Sequence, residues 1–244
     1  MRATILLLFV LPLAGCGAGA ADAPRAERPA TPAFTPAAPP AKPARPAGRY
    51  LLAHLRRRVV LRAAPGGKAV GRAARRTTFG TRTVLGVVRR RGAWLEVVAT
   101  ERPNGRTAWI RAGAARLGGT DYAIHVDRSA RRLVLRRDGH VVQRMRVAVG
   151  RPGNETPTGR FAVTDALLPA RADSPYGCCI LALSGHQTKL VPGWPGGDRL
   201  AIHHTPQPET VGHPVSLGCL RARERDIRKL MRRVPLGTPV FIRA

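Results

Sequence analysis

The chain has 244 residues, 44% of them hydrophobic, with 42 Lys and Arg against 14 Asp and Glu for a formal charge of +28. That apolar share excludes a wholly disordered chain and supplies enough material for two modest cores. The four cysteines, Cys16, Cys178, Cys179 and Cys219, do not make a spaced disulfide framework, since two are adjacent and the others stand alone.

Met1-Arg2 and the apolar run Ile5 to Leu13 open the chain, and Leu13-Ala14-Gly15-Cys16 ends that run. It is too short to cross a bilayer, which takes about 20 apolar residues. The ending resembles a bacterial lipobox. That resemblance implies a signal peptide over residues 1–15, lipidation of Cys16, and a place on the outer side of the cytoplasmic membrane. An ordinary secretory signal is the alternative, and either one takes the chain out of the cytoplasm. Residues 16–49 are rich in Ala and Pro with almost no large apolar side chain, which predicts an extended, semi-rigid tether.

Residues 50–118 predict a small β-barrel. Arg58 to Arg62, Gly86 to Val88, Trp94 to Val98 and Ala108 to Ile110 have strand character, and Ala64-Pro65-Gly66-Gly67 and Pro103-Asn104-Gly105 have turn chemistry. The spacing resembles a bacterial Src-homology-like barrel, a resemblance that implies a wall-binding module. Trp94 and Trp109 are expected in its core.

Residues 120–244 predict a second β-rich unit. Ala123 to Val126 and Leu133 to Leu135 precede Asp138-Gly139, a two-residue hairpin signal, and then Val141-Val142 and Met145 to Val149. Ile227, Leu230, Met231 and Val234 fall at helical spacing, predicting one amphipathic helix packed on the sheet. Pro235-Leu236-Gly237 ends it, and Pro239 to Ile242 forms a closing strand.

The chemistry concentrates in Leu200 to Ala222. Leu200-Ala201-Ile202 reads as the end of a buried strand carrying His203, and Ser216-Leu217-Gly218-Cys219 as a tight turn presenting a thiol. The loop between them holds Pro206, Pro208, Gly212 and Pro214, which disfavour a helix. A cysteine attacks a carbonyl as the thiolate and needs a base to take its proton. His203 is the expected base, because its strand neighbour His204 should point to the opposite face. The backbone N–H groups of Gly218 and Cys219 are the candidate oxyanion donors, and a backbone carbonyl is the expected group orienting His203. Arg221 fits a substrate carboxylate or a structural pair with Glu224 or Asp226.

His203, Thr205, Ser216, Gly218, Cys219, Leu220 and Arg221 together resemble the signature of the L,D-transpeptidase (YkuD-type) catalytic domain. The resemblance extends over about Asp121 to the C-terminus, including Val147 to Gly150 and Thr156 to Phe161. It departs at His204, where a glycine usually stands, and at Leu217, where many members have a histidine that His213 could partly replace. The resemblance implies a mainly β fold: a small Src-homology-like barrel followed by an L,D-transpeptidase-type β-sandwich with one amphipathic helix. It further implies peptidoglycan stem peptides as partners, Cys219 as nucleophile, and Arg221, Ser216 and Thr205 as substrate-binding residues. The product would be a cross-link between third-position residues, formed through a thioester on Cys219. The same chemistry with water as acceptor would make an L,D-carboxypeptidase, and a lipid-anchored wall-binding protein with weak catalysis is the other alternative.

The remaining residues receive structural readings. His54, His125, His140 and His186 are expected as surface or structural side chains, with His186 in a segment resembling the family's lid. Of Cys178 and Cys179, one is expected to pack as a small apolar group and the other to face the cleft. No metal-ligand spacing is recognisable among His203, His204, His213 and the cysteines, so neither metal nor cofactor is expected. Aromatics are 5% and the arginines are dispersed, which, with export, points away from nucleic acid and toward anionic wall polymers and lipid head groups.

Overall fold

A computed structural model describes residues 34–36, 49–170, 173–190, 192–193 and 197–244. The signal peptide, Cys16 and most of the expected tether lie outside the described residues. Within the tether, Phe34–Pro36 forms a short strand, β1, antiparallel to Leu167–Pro169.

The first sheet has seven strands: β2 (Tyr50–Leu55), β3 (Val59–Arg62), β4 (Ala69–Ala73), β5 (Val84–Arg91), β6 (Trp94–Val98), β7 (Ala108–Arg111) and β8 (Ala115–Thr120). They pair antiparallel in the order β4-β3-β7-β6-β5-β2-β8. Alternation places Ala53, Leu61, Leu95, Val97 and Ile110 in one core and turns Val60 outward, the period-two pattern of a half-buried sheet. Trp109 is buried as expected. Trp94 is only half-buried, because the Arg111 guanidinium covers its ring at 4.2 Å and a cation–π contact stabilises an aromatic face left near water.

The second sheet follows at once. It contains β9 (Tyr122–Asp127), β10 (Arg132–Arg137), β11 (His140–Arg146), β13 (Gly159–Pro169), β14 (Ile180–His186), β15 (Arg199–His204), β17 (Leu220–Ala222) and β18 (Pro239–Arg243). A two-strand pair, β12 (Val149–Gly150) with β16 (Pro214–Ser216), stands beside it. The strand path is β11-β10-β9-β18-β13-β14-β15-β17. Asp138 and Gly139 both take positive φ at the β10–β11 turn, the geometry their sequence predicts.

This sheet nearly closes on itself. The chain leaving β11 at one edge reaches β17 at the other, where Ala148 and Arg221 exchange N–H···O bonds of 2.8 and 3.0 Å. The two-layer packing expected of a β-sandwich thus comes from one sheet folded over. Its core runs from Leu133 and Leu135 through Phe161 and Leu181 to Ile202 and Leu220.

The one α-helix among the described residues, α1 (Glu224–Met231), buries Ile227, Leu230 and Met231 in that core. Acidic Glu224 and Asp226 in its first turn and basic Arg228 and Lys229 in its last complement the helix dipole. A Glu224–Arg228 pair at 2.7 Å links successive turns. Because Ile227 is wholly buried, Ile227→Ala is expected to lower the unfolding free energy by about 2–5 kcal/mol, measured by urea denaturation.

Candidate active site

The parallel pairing of β15 with β17 sets the site. Parallel neighbours need a crossover rather than a tight hairpin, and the Pro- and Gly-containing loop from Thr205 to Cys219 is that crossover. The register places Ile202 opposite Leu220 and His203 opposite Arg221. Since side chains alternate along a strand, Leu200, Ile202, Leu220 and Ala222 enter the main core. Ala201, His203, Cys219 and Arg221 therefore share the other face, where Cys219 packs with Leu167, Ile180 and Ala201.

The turn presenting Cys219 is fastened from within. The Gly218 N–H donates to Ser216 Oγ at 3.1 Å, and the Ser216 hydroxyl donates to the Cys219 carbonyl at 2.6 Å. The Thr156 hydroxyl donates to the Gly218 carbonyl at 2.8 Å and accepts the Gly150 N–H at 2.9 Å. Gly218 has φ of +120°, and a Cβ there would stand 2.9 Å from Gln187 Oε1, so conformation and space both require glycine.

Cys219 is 8% exposed. Its Sγ accepts a hydrogen bond from Gln187 Nε2 at 3.6 Å and lies 3.9 Å from the Arg199 carbonyl. Burial pushes the thiol pKa up, while the Ala201 main chain, the Arg221 charge and Gln187 act in the opposite direction. His203 is 4% exposed, and its Nδ1 lies 2.6 Å from the His204 carbonyl oxygen. That carbonyl is the main-chain orienting group expected from the sequence. Because a carbonyl only accepts, it fixes a proton on Nδ1. Burial pushes the His203 pKa down to about 4, so the ring is neutral near pH 7. Tyr176 covers it edge-on, with ring centroids 5.1 Å apart.

His204 faces the other way. Its Nδ1 accepts the Cys178 N–H at 3.1 Å, and its ring occupies the space a Cβ on Gly177 would fill. Cys178 and Cys179 are bonded to each other, which corrects the expectation of two separate thiols. Cys179 still packs in the main core, but Cys178 belongs to the His204 contact and not to the cleft. Cys178, His204 and Glu224 bring possible ligand atoms within 4.8 Å, but the disulfide removes the thiolate a metal would need.

Gly218, Ser216 and Thr205 each have a partner within the chain. The Gly218 N–H, an expected oxyanion donor, is bonded to Ser216 Oγ. Ser216 is fully buried, and its hydroxyl is committed within the turn that presents Cys219. Thr205 is buried, and its Oγ1 accepts the Gln207 N–H at 3.2 Å, starting the crossover loop. Arg221 is half-buried, and neither Glu224 nor Asp226 pairs with it: they pair with Arg228 and Arg225. His213 is exposed and holds the loop through its main chain, bonded to Thr210 and Val149.

Sequence reading missed the contribution of the first sheet. The hairpin from Arg75 to Thr83, closed by Thr83 N–H to the Arg75 carbonyl at 2.9 Å, carries Phe79 against the Cys219 cluster. Thr77 donates to Asp165 at 2.5 Å, Asp165 is fully buried 3.8 Å from Arg199, and Arg199 lies 5.8 Å from the Phe79 ring. Asn104 makes two bonds to the His186 main chain, and the His186 ring bridges Asp198 and the Thr100 carbonyl. Gln187, Tyr176 and Thr156 were also missed, because their roles come from strand pairing distant in sequence. Ser216→Ala is expected to reduce kcat, leave KM within about twofold, and cost about 1–3 kcal/mol of stability from the unsatisfied turn. Steady-state kinetics and denaturation measure both, and a raised KM at unchanged kcat would return Ser216 to substrate binding.

Residues 121–242 match the family model described as the L,D-transpeptidase catalytic domain, YkuD. The chain is 31% identical over 121 residues to the putative L,D-transpeptidase YkuD of Bacillus subtilis, covering 50% of this chain and 65% of that relative. It is 29% identical over 143 residues to the putative L,D-transpeptidase YqjB of the same organism, covering 52% and 73%. Among solved structures it is similar to an L,D-transpeptidase from Mycobacterium smegmatis at 16% identity and a TM-score of 0.41, covering 67% of this chain and 91% of that one. With half of its length matched by the family model, and with the matched half carrying Cys219 and His203, the chain belongs to the L,D-transpeptidase catalytic domain (YkuD) family.

Proposed function

We propose that this chain is a peptidoglycan L,D-transpeptidase joining third-position residues of two stem peptides through a thioester on Cys219. In this reading it is held by a lipid on Cys16 at the outer side of the cytoplasmic membrane. The observation that carries the proposal is the strand register that sets a buried thiol and a neutral imidazole on one face, walled from water by Tyr176 and Phe79.

His203 takes the Cys219 proton as Sγ attacks the carbonyl carbon of the third residue of a tetrapeptide stem. Negative charge develops on the carbonyl oxygen. The Cys219 amide and Gln187 Nε2 are the donors assigned to it, since Gly218 is committed elsewhere. As the peptide C–N bond breaks, His203 returns the proton to the departing D-Ala amine. A second stem's side-chain amine then attacks the thioester carbon and gives its proton to His203. The C–S bond breaks, and the sulfur takes that proton back. The exposed edge of Arg221 suits a stem carboxylate. The Cys219 cluster is apolar, and a low-polarity wall strengthens each of these charge interactions.

Incubation with disaccharide-tetrapeptide, followed by mass spectrometry, tests the reading. A dimer formed by the wild-type chain and absent with Cys219→Ala, which removes one atom without disturbing the fold, is the expected outcome. Tripeptide without dimer would make water the acceptor, and no product from either protein would overturn the reading. The pH dependence is a second test. A lowered imidazole pKa extends the neutral base toward acid, so kcat/KM should hold down to about pH 5 and fall only near pH 4. An acid limb at pH 6 or above would place the base elsewhere.

A further inference from the structure

A cavity of about 330 Å³ lies in the first sheet, lined by no residue of the Cys219 cleft. Four arginines border it: Arg56 after β2, Arg75 and Arg82 on the two stems of the Arg75–Thr83 hairpin, and Arg116 in β8. Main-chain pairing fixes this convergence. His54 stands opposite Arg116, and the N–H groups of Leu55, Arg56 and Thr83 donate to the carbonyls of Thr83, Ala114 and Arg75 at 3.0, 3.1 and 2.9 Å.

No acidic residue lines the cavity, and among the described residues none of the four guanidiniums has a carboxylate partner. Elsewhere the chain does pair its arginines with its few acids, as in Arg89–Glu96, Arg228–Glu224 and Arg243–Asp127. Like charges gathered without a counter-charge repel one another, and an anion between them relieves that repulsion. His54 also lines the cavity, with its Nε2 buried toward Gly118. Burial and the Arg116 charge lower the His54 pKa, so its ring does not add a fifth positive charge.

We propose that this cavity binds a phosphate group, as free phosphate or as the phosphodiester of a polyol-phosphate chain. The planar guanidinium fork fits phosphate oxygens two at a time, and four forks from three chain segments surround one group from several sides. Successive phosphates on a polymer would add rebinding and raise the apparent affinity over a single phosphate.

Calorimetric titration of the full chain at constant ionic strength, with chloride making up the balance, tests the proposal. The probes are inorganic phosphate and a short poly(glycerol phosphate). They are titrated into the wild-type chain, the pocket variant Arg75→Gln/Arg116→Gln, and a charge-matched control, Arg144→Gln/Arg232→Gln, all with matching melting temperatures. Saturable binding weakened about tenfold or more in the pocket variant and within about twofold of wild type in the control is the expected result. Under that result, tighter binding of the polymer assigns the phosphodiester source, and equal or absent polymer binding assigns free phosphate. Equal weakening in both variants would reduce the effect to diffuse charge. That outcome, or no saturable binding of either probe, overturns the proposal.

Discussion

The parallel pairing of β15 with β17 is the constraint on which the site depends. Its register puts Arg221 beside His203, and strand alternation then sends Cys219 and His203 to one side and Leu220 and Ile202 to the core. A slip of one residue would exchange those faces and bury Cys219 and His203 among leucines. The main core resists the slip, since Leu200, Ile202, Leu220 and Ala222 are each fully buried. Hydrophobic packing on one face thereby fixes chemistry on the other.

Desolvation then sets the protonation states. Burial raises the Cys219 pKa and lowers that of His203, so both groups rest uncharged. A neutral pair avoids the cost of a buried thiolate and imidazolium. The first sheet takes part in this arrangement. Phe79 packs on the Cys219 cluster, Thr77 is bonded to the buried carboxylate of Asp165, and that carboxylate faces Arg199, whose own carbonyl meets Sγ. The unit expected to be a separate wall-binding module thus forms a wall of the cleft.

Local patterns made much of this legible in the sequence. Asp138-Gly139 announced its hairpin, Ile227, Leu230 and Met231 announced a helix face, and Ser216 to Arg221 with His203 announced the family. Long-range facts were hidden. Nothing near Gly218 shows that its N–H is spent on Ser216, because both residues carry turn chemistry that suits either role. Gln187 reaches Sγ across 32 positions, and Thr156 reaches Gly218 across 62. Phe79 lies in an unremarkable Arg- and Thr-rich stretch. Its placement depends on a hairpin closing between Arg75 and Thr83, and no periodicity records where such a hairpin points.

His204, the departure from the glycine usual in the motif, shows why that position tolerates a large side chain. What the site takes from this residue is its main-chain carbonyl, which orients His203 at 2.6 Å, and a carbonyl is common to every residue type. The side chain points away, where Gly177, at φ of +62°, leaves room for the ring, and the Cys178 N–H satisfies Nδ1. Bulk at 204 is therefore matched by absence of bulk at 177. Replacing Gly177 by alanine would meet the His204 ring at once and strain a left-handed backbone, whereas replacing His204 by glycine would remove only contacts on the face opposite Cys219. The two positions carry one steric relationship, and the carbonyl that meets His203 Nδ1 lies outside it.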